Sequence, residues 1–174
     1  MELLEAIKTR RSIRKYKPTE IPQENLVKIL DAARLAPSAG NRQPWRFIVV
    51  KNPEIKKQVA QAARNQTFLA DASVIIAITG DPENSPGGYS SWMERDPMMA
   101  GEHIALAATS LGYGTCWIGA FTEAEVKKIL AIPERVKVVA LMPVGVPDES
   151  PPPRPRKELK DMVFEDIYGK PLNP

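Results

Sequence analysis

Apolar positions along the chain alternate between helical and extended spacing. Residues 2–9 predict a short helix that runs into the segment RRSIRKY. Over 23–35, Leu26, Ile29, Leu30 and Ala33 recur at the spacing of one helix face, with Pro22 near the start and Pro37 just past the end. Residues 45–50, WRFIVV, and 73–79, SVIIAIT, are apolar runs of strand length that must be largely buried. Between them, 54–64 predicts a helix with Ile55, Val59 and Ala62 or Ala63 inward. Residues 80–92 are rich in Gly, Pro, Ser and Asn and predict a mobile loop. Residues 97–111 predict a helix that is apolar on nearly every side, carrying Met98, Met99, Ile104, Ala105, Leu106, Ala107, Ala108 and Leu111, and stopped by Gly112. Such a helix needs cover all round, so it is either central or part of a subunit interface. Residues 114–118 and 136–146 predict two more strands. Thr122 and Glu125 read as a T-x-x-E capping box opening a helix over 122–131. From Pro147 onward the chain is proline-dense, and Pro151, Pro152, Pro153 and Pro155 predict an extended tail that crosses a surface. With no internal repeat and no clean βαβ pattern, the expectation is a single domain over 1–174. Its predicted class is α+β, with helices packed around a mixed, largely antiparallel sheet.

Composition adds exclusions. The chain has 174 residues, 43% hydrophobic and 26% charged, which is ordinary for a globular protein. No apolar run approaches the roughly 18–20 residues that span a bilayer, and the N-terminus lacks the apolar stretch of a secretory signal. The expected setting is the cytoplasm. A single cysteine, Cys116, and a single histidine, His103, rule out an intrachain disulfide framework and argue against a built-in metal centre. His103 sits mid-helix among apolar residues and reads as structural. Cys116 lies in a predicted buried strand and reads as a structural thiol. Neither G-x-G-x-x-G nor G-x-x-x-x-G-K-[ST] is present. Side chains this poor in hard chemistry point to a borrowed cofactor if the protein is an enzyme.

Charge is unevenly placed. The net charge is +3, but residues 1–17 hold a balance of +4 and residues 154–160 a balance of +3. Two basic clusters at opposite ends either converge on one phosphate or polyanion, or form two solvated faces. Nucleic acid is a poor fit, because aromatics are only 6% of the chain and no stacking platform follows the basic residues. Three local patterns carry candidate chemistry. In Arg10-Arg11-Ser12-Ile13-Arg14, alternation puts Arg10, Ser12 and Arg14 on one side of an extended segment, where guanidinium forks and a hydroxyl suit a phosphate dianion. In APSAGNRQPW (36–45), small residues admit a flat ligand to the backbone, and Asn41 and Gln43 offer amide groups. The same residues serve equally as a plain helix-to-strand turn with Asn41 left-handed and Trp45 plugging the core. In GYGTCWIGAF (112–121), a strand leaving through Gly119 exposes backbone N–H groups, or is simply a buried strand with a glycine exit.

RRSIRKY, APSAGNRQPW, GYGTCWIGAF and the tail GVPDESPPPRPRKEL, in this order, resemble the signature of the nitroreductase-like flavoproteins, in a match running from about residue 2 to about 165. The resemblance implies an FMN-binding α+β fold, an intertwined homodimer with flavins at the subunit interface, and a tail over 147–174 that packs on the partner subunit. By position it implies phosphate and ribityl contacts from Arg10, Ser12 and Arg14, and a phosphate contact from Arg11 in the same run. Pro37, Ser38 and Asn41 match the turn that meets the flavin, Pro37 and Ser38 reaching that of the partner subunit. Gln43 matches the polar edge of the ring. Ile118 and Gly119 match a backbone donor near flavin N5. Arg156 matches a tail arginine that returns to the phosphate, with Arg154 and Lys157 as alternative registers. Arg42 is a candidate to stabilise reduced flavin, and Arg46 is expected on a strand surface. No residue is expected to bind metal.

The implied activity is hydride transfer from NADH or NADPH to a small electron-poor acceptor such as a nitroaromatic, quinone or enone, by a ping-pong mechanism. Alternatives are a specialised flavin reductase or dehydrogenase with no nitro substrate, and a non-catalytic FMN-binding module. The chain departs from longer members in its short variable region, where Tyr89, Trp92, Met93, Arg95 and Asp96 form either a small lid or dimer contacts.

Overall fold

The computed structural model describes residues 1–84 and 92–172. The elements run α1 (Leu3–Thr9), α2 (Gln23–Arg34), β1 (Trp45–Val50), α3 (Pro53–Ala62), α4 (Phe68–Asp71), β2 (Val74–Gly80), α5 (Trp92–Ser110), β3 (Gly114–Thr115), α6 (Glu123–Leu130) and β4 (Lys137–Gly145). The four strands form one antiparallel sheet in the order β1-β2-β4-β3. The fold is α+β, as the patterning predicts.

The long apolar runs are explained by a sheet covered on both faces. Successive β2 residues point to opposite sides. Ile76 and Ile78 join Leu26, Ile29, Ile104 and Ala105 in a core against α2 and α5. Ile75 and Ala77 join Val59, Leu69 and Val126 in a second core against α3, α4 and α6. Every residue of β2 is therefore buried. Helix α3 starts where local chemistry dictates: the Asn52 side chain accepts from the N–H of Glu54 and Ile55, and Pro53 needs no donor at the first position.

Four expectations need correction. Helix α5 begins at Trp92 rather than 97, because Pro97 is tolerated inside it; Trp92, Met93, Arg95 and Asp96 are helical, and Met93 and Asp96 are buried. The predicted loop therefore ends before residue 92, and Tyr89 lies outside the described residues. The strand expected over 114–118 pairs regularly only at Gly114 and Thr115, and Ile118 rejoins β4 through a single bridge to Leu141. Between them the Trp117 indole is drawn to α5, where its Nε1 donates to Glu102 at 3.3 Å. Thr122 stands at the N-cap of α6 but its side chain makes no capping bond. Helix α4, four residues long, was too short to leave a period in the sequence.

The first residue of α6, Glu123, bonds across to β4 instead. Its carboxylate accepts from the Val138 N–H at 2.9 Å and from Lys137 Nζ at 2.8 Å, tying α6 to β4. Burial alone would raise this carboxyl, but the bonds from Lys137 and Val138 outweigh it and hold the group below the usual carboxylate value. Its folded pKa is thus below the unfolded one, so the stabilisation is present at neutral pH and is lost as pH falls through the folded value. Glu123→Ala is expected to melt below wild type at pH 7 by the equivalent of about 1–2 kcal/mol, allowing for the exposure of Lys137. The gap should close in melts below about pH 4; a gap constant from pH 7 to pH 3 would contradict the assignment.

Candidate functional site

Residues 10–17 form an extended limb along the β3–β4 edge. The Ile13 N–H donates to Thr115 O, and the Lys17 N–H to Val146 O, both at 2.9 Å. Two glycines paired across the strands, Gly114 and Gly145, make this close approach possible. A Cβ on Gly114 would lie 2.7 Å from the Ile13 side chain, and one on Gly145 2.8 Å from the Tyr16 ring. Ile13 and Tyr16 are buried by this packing, and the Tyr16 hydroxyl donates to Ile13 O at 2.7 Å. Burial pushes the Tyr16 phenol far above its ordinary value.

With Ile13 and Tyr16 turned inward, the polar residues of the limb face out. The tail then crosses over them. A cleft of about 530 Å³ is lined by Ile7, Lys8, Arg10, Arg11, Ser12, Arg14, Pro151, Pro152, Pro153, Arg154 and Arg156. None of the described residues lining it is acidic. The two basic clusters of the sequence therefore meet. Arg154 and Arg156 both line the cleft and Lys157 does not. Arg11 folds back on α1: its Nη1 donates to Lys8 O and Arg10 O, each at 2.8 Å. Arg10 Nε stands 4.0 Å from the Glu102 carboxylate on α5.

The helix-to-strand turn is strained. Residues Ala39–Asn41 make one 3-10 turn, and Gly40, Asn41 and Gln43 have φ of 58°, 55° and 51°. Left-handed backbone at two non-glycine residues costs energy and needs support. Ser38 Oγ accepts from the Gln43 N–H at 3.0 Å, and Gln43 Nε2 donates to Asn41 O and Oδ1 at 3.2 and 3.1 Å. Trp45 is buried in the first core. The anchor missed at the sequence level is Asp96: fully buried, it accepts from the Ala39 N–H at 3.1 Å, and its Oδ1 meets no hydrogen-bond partner among the described residues. The sequence offers Asp96 only as a lid or dimer-contact residue, because the first turn of α5 is not evident in it. Asp96 and Glu102 are separated by about 9 Å along α5, so one helix braces both the turn and the limb.

The third pattern divides between its two residues. Ile118 is buried and spends its N–H and its carbonyl on Leu141, both at 3.0 Å. Gly119 is exposed, and a Cβ built there would meet nothing within 4 Å. Open ground beside a backbone amide admits a flat ring. Arg42 is half-buried with its guanidinium beside Gly40, and Arg46 is exposed on β1. His103 Nδ1 lies 3.0 Å from Ala32 O, a structural tie between α5 and α2. Cys116 is buried, and burial outweighs the nearby Arg14 to push its thiol up, away from reactivity.

Comparison with known proteins identifies the family. The Nitroreductase family model matches residues 7–68 and 60–146. A protein of Archaeoglobus fulgidus named "Putative NADH dehydrogenase/NAD(P)H nitroreductase" is 41% identical over 152 residues, covering 85% of this chain and 87% of that one. The crystal structure of a nitroreductase family protein from Clostridium novyi NT is 38% identical, with a TM-score of 0.80 over 98% of this chain and 97% of that one. The NADPH:FMN oxidoreductase of Vibrio harveyi, complexed with NAD+, is 28% identical with a TM-score of 0.90 over 98% and 79%. The chain belongs to the nitroreductase family.

Proposed function

We propose that this chain binds FMN at the basic cleft and passes hydride from NADH or NADPH to a small electron-poor acceptor, such as a nitroaromatic, quinone or enone. Its family is one of NAD(P)H-dependent flavin oxidoreductases, and relatives bear the names NAD(P)H nitroreductase and NADPH:FMN oxidoreductase. The observation that carries the reading is the cleft itself, where donors from residues 8–14 and from the tail converge with no acidic side chain among the described lining residues. That donor set fits a phosphate dianion.

Bound there, FMN would supply the redox chemistry these side chains lack, in separate half-reactions with the pyridine nucleotide and the acceptor. The chain binds and orients. Arg10, Ser12 and Arg14 hold the phosphate from the limb, and Arg154 and Arg156 from the tail, while Arg11 acts chiefly by bracing α1 against the limb. Pro37, Ser38 and Asn41 present the turn to a flavin, and Gln43 meets the polar edge of the ring. Gly119, rather than the backbone-bonded Ile118, offers an amide near N5. Asp96 keeps the turn in its strained shape. A homodimer completes the site in this reading. Leu3, Leu4 and Ile7 share one face of α1 and are exposed, an apolar surface that suits a partner subunit. In this reading the activity belongs to the cytoplasm, which supplies reduced pyridine nucleotide.

The test is steady-state oxidation of NADH and NADPH by the FMN-loaded protein with a panel of nitroaromatic, quinone and enone acceptors. Parallel double-reciprocal lines with at least one acceptor class are expected. Tight FMN binding with no pyridine-nucleotide oxidation would contradict the enzyme reading and identify a flavin-binding module instead.

A further inference from the structure

The tail is fixed to the limb by more than passing contact. Tyr16 and Pro147 form an antiparallel bridge, and the Asp148 N–H donates to Lys15 O at 2.9 Å. Just before the proline run, Glu149 turns its carboxylate back onto the limb. Its Oε1 accepts from the Arg14 N–H and from the Lys15 N–H, the latter at 3.2 Å. One carboxylate oxygen shared by two successive amides is a charge-assisted clamp. It engages the backbone of Arg14, and the Arg14 side chain remains part of the cleft wall. After a single residue, Ser150, come Pro151, Pro152 and Pro153, and consecutive prolines extend stiffly. The direction set at Glu149 therefore decides where Arg154 and Arg156 arrive. Glu149 is not among the residues lining the cleft.

We propose that Glu149 is a positioning residue for the phosphate subsite: by bonding the backbone of Arg14 and Lys15 it locks the tail to the limb, so that arginines from both face one cleft. The inference rests on the flavin reading above. It assigns a role to a residue that never touches the ligand.

Wild type, Glu149→Ala and Glu149→Gln are titrated with FMN and with riboflavin, which has the same ring and ribityl chain but no phosphate. Glu149→Ala should bind FMN at least about ten-fold more weakly and riboflavin within about two-fold of wild type. Glu149→Gln keeps a side-chain oxygen that accepts from both amides, and should recover FMN affinity to within about three-fold of wild type. Unchanged FMN affinity in Glu149→Ala, equal loss of both ligands, or no recovery in Glu149→Gln overturns the role. If Glu149→Ala does not fold, Glu149→Asp takes its place: one methylene shorter, it should lose FMN and keep riboflavin, and wild-type FMN affinity in it overturns the role. A wild type that binds FMN no better than riboflavin overturns the phosphate reading itself, which separates that failure from failure of the Glu149 assignment.

Discussion

A protein in which Arg14 and Arg156 are both alanine should bind FMN roughly 10²- to 10⁴-fold more weakly than wild type. Each guanidinium would make one charge-assisted hydrogen bond to the phosphate, worth about 1.5–3 kcal/mol, and each tenfold in affinity corresponds to about 1.4 kcal/mol. The two residues come from the limb and the tail, so the double variant removes one donor from each wall of the cleft. Both are exposed, which leaves the core untouched and should leave the melting temperature near that of wild type. Riboflavin affinity should change little. Isothermal titration of wild type and the double variant with both ligands measures this directly. Equal affinity of wild type and double variant for FMN would remove the phosphate from this cleft.

The largest stability effect is expected at Gly80. Pro97 has no N–H, so the Met93 carbonyl lacks its usual helical donor four residues on. That carbonyl packs against the end of β2: a Cβ on Gly80 would lie 2.0 Å from Met93 O. The obstacle is backbone, which cannot swing aside as a side chain does. Gly80→Ala must therefore push the first turn of α5 off the sheet, at a cost of about 3 kcal/mol or more. For a chain of this length that corresponds to a drop of roughly 6–12 °C in Tm. Displacement of that turn also loosens Asp96 from Ala39, so FMN affinity should fall with stability. Gly119→Ala is the control, since its Cβ meets nothing within 4 Å and its Tm should stay within about 2 °C. Equal melting temperatures for Gly80→Ala and wild type would show that α5 does not rest on β2 in this way.

Much of the architecture could be read from residue patterns. The runs WRFIVV and SVIIAIT become β1 and β2 because an apolar run of strand length has few alternatives once both sheet faces are covered. Helix α2 follows its periodicity closely. The cleft was legible in the uneven charge, since cations near both ends have little reason to meet except around an anion. The failures have physical causes. Pro97 reads as a breaker in isolation, yet near a helix start it costs only one bond, so the first turn of α5 went unrecognised. The T-x-x-E motif of Thr122 and Glu125 is present, yet the Thr122 side chain makes no capping bond, and the bonds at this helix start are those of Glu123 to β4. Trp117 left the strand for α5, where Gly101 leaves it room, and shortened β3. Asp96 and Glu149 could not be found from spacing at all. Each acts on backbone N–H groups more than 50 residues away in the chain, and any sequence there presents such groups.

The most direct test of the central claim is the visible spectrum of the purified chain, freed of bound ligand and then titrated with FMN. Saturable binding near one FMN per chain, with perturbed flavin bands and affinity well above that for riboflavin, is the predicted result. A protein that stays colourless after incubation with FMN and removal of the excess would contradict it.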